Sequence, residues 1–110
     1  MISFSVLLSI YNRESPISLC QSLDSIFVQT VSPNEVVLVE DGPLSSELND
    51  IISEYSAKYP ILKIIPLPTN QGLGKALNEG LKHCSYDIVA RMDTDDIAKP
   101  DRFVETIGYF

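Results

Sequence analysis

Three carboxylates crowd into four positions at Asp93-Thr94-Asp95-Asp96, and they are the residues of this 110-residue chain best suited to chemistry. In an extended segment Asp93 and Asp95 project to the same side about 6 to 7 Å apart, so one can hold a divalent cation while the other meets a neighbouring hydroxyl. Their mutual repulsion costs stability unless a cation or hydrogen bonds offset it. A plainer reading makes Asp95 or Asp96 the start of a helix near Pro100 and leaves Asp93 in a solvated turn. A helix-loop-helix calcium site is excluded, because the sixth position from Asp93 is Ala98 rather than Gly and the twelfth is Val104 rather than Glu.

Asp41 is the second candidate. It closes the apolar run Val36-Val37-Leu38-Val39 and precedes Gly42-Pro43, where it can accept from the N–H edge of a nucleobase or simply begin a turn. Gly72, Gly74 and Lys75 do not make a phosphate loop, since the spacing is wrong and Ala76 follows the lysine. The dinucleotide glycine pattern is absent too, because Tyr11-Asn12-Arg13 follows the first apolar run. A glycine-loosened loop remains, whose helix start either offers Lys75 to a phosphate or is simple capping. His83, the single histidine, reads as a surface residue.

Short apolar runs alternating four times with amphipathic stretches must position these residues, and that alternation is the mark of a parallel α/β sheet. Phe4 to Ile10 is apolar on both faces and suits the sheet centre. Ser15-Pro16 opens a helix whose stripe is Leu19, Leu23, Ile26 and Phe27. Leu48, Ile51, Ile52, Tyr55 and Tyr59 mark a second helix, closed at Tyr59-Pro60. Leu62 to Leu67 reads as a strand near an edge, because Pro66 cannot donate to a ladder. After the connector Pro68 to Gly74, the residues Ala76, Leu77, Leu81 and Cys84 stripe a third helix, within which Gly80 lets a neighbouring backbone come close. Ile88 to Met92 is the fourth strand and delivers Asp93 to its carboxyl end, where open α/β sheets bind ligands. Pro100 opens a last helix, and the uncapped stripe Phe103, Val104 and Ile107 gives the expectation that the chain is the front half of a larger domain.

Composition sets bounds. With 45% hydrophobic and 21% charged residues the chain reads as one globular domain rather than a disordered or multidomain one. A net charge of −7 has the wrong sign for gathering nucleic acid. Cys20 and Cys84 form neither a disulfide framework nor a zinc spacing and are expected as reduced core thiols. No signal peptide and no membrane span are visible, so a cytoplasmic setting is expected, the inner membrane face included. Nothing in the pattern fixes an oligomeric state.

Taken together, Phe4 to Asn12 (FSVLLSIYN), Val37 to Gly42 (VLVEDG), Asn70 to Leu81 (NQGLGKALNEGL) and Ile88 to Asp96 (IVARMDTDD) resemble the amino-terminal half of the family-two inverting glycosyltransferases. The resemblance implies a three-layer, Rossmann-like GT-A core with a mostly parallel sheet, truncated here before its acceptor-binding part. It implies that Ser9 and Tyr11 line a nucleotide pocket, with the tyrosine ring against the base, and that Asp41 receives a pyrimidine N–H. Asp93 would face the ribose or sugar and Asp95 would hold a divalent ion, Mn2+ or Mg2+, on the diphosphate of the donor. Asp96 follows in the motif without an assigned role. Many members carry Arg directly before the Asn of the third motif, whereas this chain has Leu77 before Asn78, so the basic contact is moved to Lys75.

The implied activity is transfer of a sugar from a nucleotide-diphosphate donor, UDP foremost, to a glycan or polysaccharide acceptor. An acidic pocket meets an anionic donor only with a cation between them, and the same cation stabilises the charge on the leaving diphosphate. The family's general base lies on a later acidic motif, so these residues alone are expected to be inactive. A receiver-like signalling module is the alternative. It requires an acidic pair after the first strand and an aspartate after the third, where this chain has Tyr11-Asn12 and Pro68-Thr69. Sugar nucleotidyltransferases need a glycine-rich basic loop after the first strand, which is absent.

Overall fold

The computed structural model describes residues 3–29 and 31–93. The order is β1 (Phe4–Ile10), α1 (Pro16–Phe27), β2 (Glu35–Glu40), α2 (Ser46–Lys58), β3 (Leu62–Pro66), α3 (Leu73–Lys82) and β4 (Ile88–Arg91). The four strands form one parallel sheet in the order β3-β2-β1-β4, with Val6 beside Val36 and Ala90, and Val36 beside Leu62. A receiver-like sheet would set β3 against β1. Here β4 holds that place, and the receiver reading falls.

The two-residue period of the strands divides the core. Val6, Leu8, Ile10, Val36 and Leu38 turn to the face covered by Leu19, Leu23 and Ile26 of α1 and Leu48 and Ile52 of α2. Leu7, Val37 and Val39 turn to the opposite face, under Ala76 and Leu77 of α3. Both faces of the central strands are therefore buried, which is why their sequences show no polar alternation. Each such fully buried Leu or Ile contributes about 1.5–3 kcal/mol.

Local chemistry sets the ends of the elements. Ser15 caps α1, its hydroxyl accepting from Ser18 N–H at 3.4 Å, with Pro16 in the first turn. Ser45 caps α2 in the same way through Leu48 N–H. Tyr55 of α2 donates to Asp24 of α1 at 2.5 Å, and Phe27 stacks on Tyr59 with centroids 3.8 Å apart. β3 lies at an edge, as Pro66 implies.

Some expectations are corrected. α3 begins at Leu73, inside the expected connector. Leu81 of its expected stripe is exposed, because the apolar face narrows to Ala76, Leu77 and Gly80. At Gly80 the close approach comes from strand side chains rather than backbone: a Cβ would lie 2.5 Å from Leu7 Cδ1 and from Val39 Cγ2. Cys20 and Cys84 are unpaired as expected, but half-buried rather than in the core. His83 is exposed at the end of α3. The helix expected from Pro100 lies outside the described residues, as do Asp95 and Asp96.

The amino-terminal edge of the sheet is pinned by a buried acid. Glu35 accepts from Ser5 Oγ at 2.7 Å, Ser85 N–H at 2.8 Å, Ser85 Oγ at 3.0 Å and Lys63 Nζ at 2.8 Å. Burial pushes its carboxyl up, but the donated bonds outweigh that and hold it at about 2. One ion thereby joins β1, β2, β3 and the α3–β4 connection.

Candidate functional site

Strand order locates the cleft. From β1 the chain winds outward to β2 and β3, with α1 and α2 on one face, and then returns past β1 to β4, with α3 on the other. The change from one face to the other falls between β1 and β4, and the carboxyl edge at such a switch is where open sheets of this kind bind ligands. A cleft of about 530 Å³ occupies that place.

Register sets its residues side by side. Ile10 pairs with Glu40, and Asp41 N–H donates to Ile10 O at 2.8 Å, so the next residues along, Tyr11 and Asp41, stand at neighbouring strand ends. Leu7 pairs with Arg91, and two residues further on this register places Asp93 beside Ser9. All four line the cleft. Two strand spacings and a two-residue offset separate Asp41 from Asp93, about 10–12 Å. A nucleoside diphosphate spans such a gap, and a free phosphate does not.

Asp41 is 5% exposed and committed to the cleft wall. Its two carboxylate oxygens accept from Gln71 N–H at 2.7 Å and Gly72 N–H at 3.1 Å, and its backbone carbonyl accepts from Asn70 Nδ2 at 3.2 Å. Gly42 allows this. Its φ is +90°, and a Cβ there would lie 2.7 Å from Asn70 N, so only glycine lets the α3 loop fold across the end of β2. Each carboxylate oxygen keeps a second lone pair, so anchoring the loop does not consume the capacity to accept from a ligand.

Tyr11, 48% exposed, and Leu73, 55% exposed, give the cleft apolar surfaces on which a flat ring can rest. Gly72 and Leu73 bring the amino end of α3 to the cleft, where Gly72 offers no capping side chain and Asp41 accepts the Gly72 N–H. Asp93 reaches the cleft from the end of β4, its backbone carbonyl accepting a long bond, 3.5 Å, from the Ser22 hydroxyl of α1.

The structure thus brings together Ser9, Tyr11, Asp41 and Asp93 of the expected site. Lys75, exposed on the first turn of α3, is not part of the cleft lining. Leu77, the position where the resemblance implies an Arg in other members, is buried against the sheet. Sequence reasoning missed Arg13 and Glu14, which line the cleft from the β1–α1 loop, and Asn70 and Gly72. Arg13 and Glu14 were findable by rule, since they directly follow a central strand. Asn70 and Gly72 were not, because only the fold over Gly42 brings them in. Among the described residues no three potential ligands converge on a metal position. Asp93 supplies one hard oxygen of the kind Mg2+ or Mn2+ takes beside substrate phosphates, so the donor chemistry fits.

Comparison with known proteins decides the family. The model of glycosyl transferase family 2 matches residues 5–110. The chain belongs to that family. Among relatives of this family-2 chain, an amylovoran biosynthesis glycosyltransferase of Erwinia amylovora is 50% identical over 106 residues, covering 96% of this chain and 40% of the relative. An Escherichia coli UDP-Gal:alpha-D-GlcNAc-diphosphoundecaprenol beta-1,3-galactosyltransferase is 46% identical over 100 residues, covering 91% of this chain and 36% of the relative. The chain therefore spans about two-fifths of these relatives' length. Residues 1–349 of S. aureus TarS in complex with UDP superpose with a TM-score of 0.81 at 30% identity, over 96% of this chain and 31% of that one. The GT-A fold of the neighbouring glycosyltransferases is thus the fold of this chain.

Proposed function

We propose that this chain is the donor-binding part of a family-2 glycosyltransferase that moves a hexose from a nucleotide-diphosphate sugar, UDP foremost, to a glycan or polysaccharide acceptor with inversion. The observation that carries the reading is the cleft shared by Ser9, Tyr11, Asp41 and Asp93 at three strand ends. The UDP bound to the structural neighbour supports the choice of nucleotide.

In this reading the Tyr11 ring carries the base, and Asp41 accepts the pyrimidine N–H with the lone pairs that the α3 loop leaves free. Ser9 and Asp93 meet the ribose and sugar. Asp95 would hold a divalent cation, Mn2+ or Mg2+, which when bound would offset the charge of the leaving diphosphate. The amino end of α3 adds a fixed dipole of the same sign. The acceptor hydroxyl attacks the opposite face of the anomeric carbon, assisted by a carboxylate base. Two unpaired thiols fit a reducing, cytoplasmic setting, with acceptors met at the inner membrane face. No helix among the described residues is long and apolar enough to cross a membrane.

Thermal unfolding with Mn2+ and millimolar UDP, GDP or ADP tests the reading. UDP is expected to raise the midpoint by several degrees and ADP by less. Equal shifts from all three, or none, would contradict it.

A further inference from the structure

The lining of the donor cleft has an uneven charge. Glu14, Asp41 and Asp93 bring three carboxylates, and Arg13 is the single cation among the described lining residues. Lys75 is not among the lining residues, and Leu77 is buried in one cluster with Leu7 and Val39.

Arg13 is also uncommitted. It is exposed and makes no hydrogen bond or ion pair with any described residue. Its acidic neighbour in the chain is engaged elsewhere, because Glu14 accepts from Ser15 N–H at 3.1 Å at the start of α1, where a carboxylate is favoured by the helix dipole. The local turn is fixed by Glu14 N–H on Tyr11 O at 3.1 Å, which ties the base of the Arg13 side chain to the residue proposed to carry the nucleobase. A guanidinium there has five donors that no described residue engages, and phosphate is one of the groups its planar fork matches bidentately.

Resting on the proposed function, we infer that Arg13 is the protein's own diphosphate-binding cation. The β1–α1 loop then reads both ends of the nucleotide, Tyr11 the base and Arg13 the phosphates. Because Arg13 belongs to the chain, its contribution persists whatever ion is present.

The test compares uridine with UDP by NMR titration at fixed Mg2+, for the wild type, Arg13→Ala and Arg13→Lys. Arg13→Ala is expected to weaken UDP about tenfold and leave uridine within twofold, with an unchanged melting temperature. Arg13→Lys is expected to recover part of the loss, since it keeps the charge but not the fork. A UDP-to-uridine affinity ratio that survives Arg13→Ala would overturn the inference alone. Equal weakening of both ligands would also overturn it, by making Arg13 a residue that shapes the cleft. A wild type that binds neither ligand would overturn the proposed function itself.

Discussion

The carboxylate of Asp41 accepts the backbone N–H of Gly72 at 3.1 Å, a bond between the end of β2 and the start of α3. Together with the bond from Gln71 N–H at 2.7 Å, it makes one side chain both a wall of the cleft and the peg for the loop that completes it. Any ligand that engages Asp41 therefore acts on a loop already held.

Asp41→Asn separates these roles. Asparagine has one oxygen, so its amide would turn a donor toward one of the two N–H groups. The loop is solvent-facing, which softens the penalty to about 1–2 kcal/mol. Urea denaturation is expected to show that loss, and uridine affinity to fall at least tenfold. Unchanged stability would mean that the carboxylate does not hold the loop.

Tyr11 stands outside the core, so its replacement should report on ligand alone. Tyr11→Ala is expected to weaken uridine by about 1–3 kcal/mol, the range for one base stacked on an aromatic ring, with stability unchanged. Tyr11→Phe should bind within twofold of wild type.

Glu35 makes stability depend on pH. Its folded value of about 2 lies below the ordinary 4.5, so its contribution is complete above pH 4.5 and is lost as pH falls toward 2. The shift corresponds to about 2–3 kcal/mol after allowance for the half-exposed Lys63. Denaturation midpoints across that window should fall in the wild type and flatten in Glu35→Gln. A wild-type profile as flat as the variant's would show that the ion is not held as described.

Gly80→Ala sets two effects against each other. Alanine favours a helix interior by about 1 kcal/mol, but its Cβ would meet Leu7 and stiff, β-branched Val39 at 2.5 Å. Overpacking of a filled core costs about 1–3 kcal/mol, so a net loss of stability is expected. A gain would mean that α3 can move off the sheet at little cost.

These residues also show where sequence reasoning reached and stopped. Strands buried on both faces, Ser15-Pro16 at a helix start and Pro66 at a sheet edge each leave a local mark, and each lies where that mark implies. The placement of Tyr11, Asp41 and Asp93 follows from the rule that ligands meet parallel strands at their carboxyl ends. Asn70 and Gly72 enter through a long-range approach over Gly42, and Glu35 collects donors from positions 5, 63 and 85. No periodicity encodes such meetings. A helix start and the resemblance point to Lys75, while the residues of that helix end that line the cleft are Gly72 and Leu73.

The central claim is that an acidic cleft holds an anionic nucleotide with a cation between them. Calorimetric titration of UDP into the chain, once with Mn2+ and once with chelator, tests it most directly. Binding is expected to be at least tenfold tighter with Mn2+, and Asp95→Ala is expected to remove most of that difference. Equal affinity with and without the metal would contradict it.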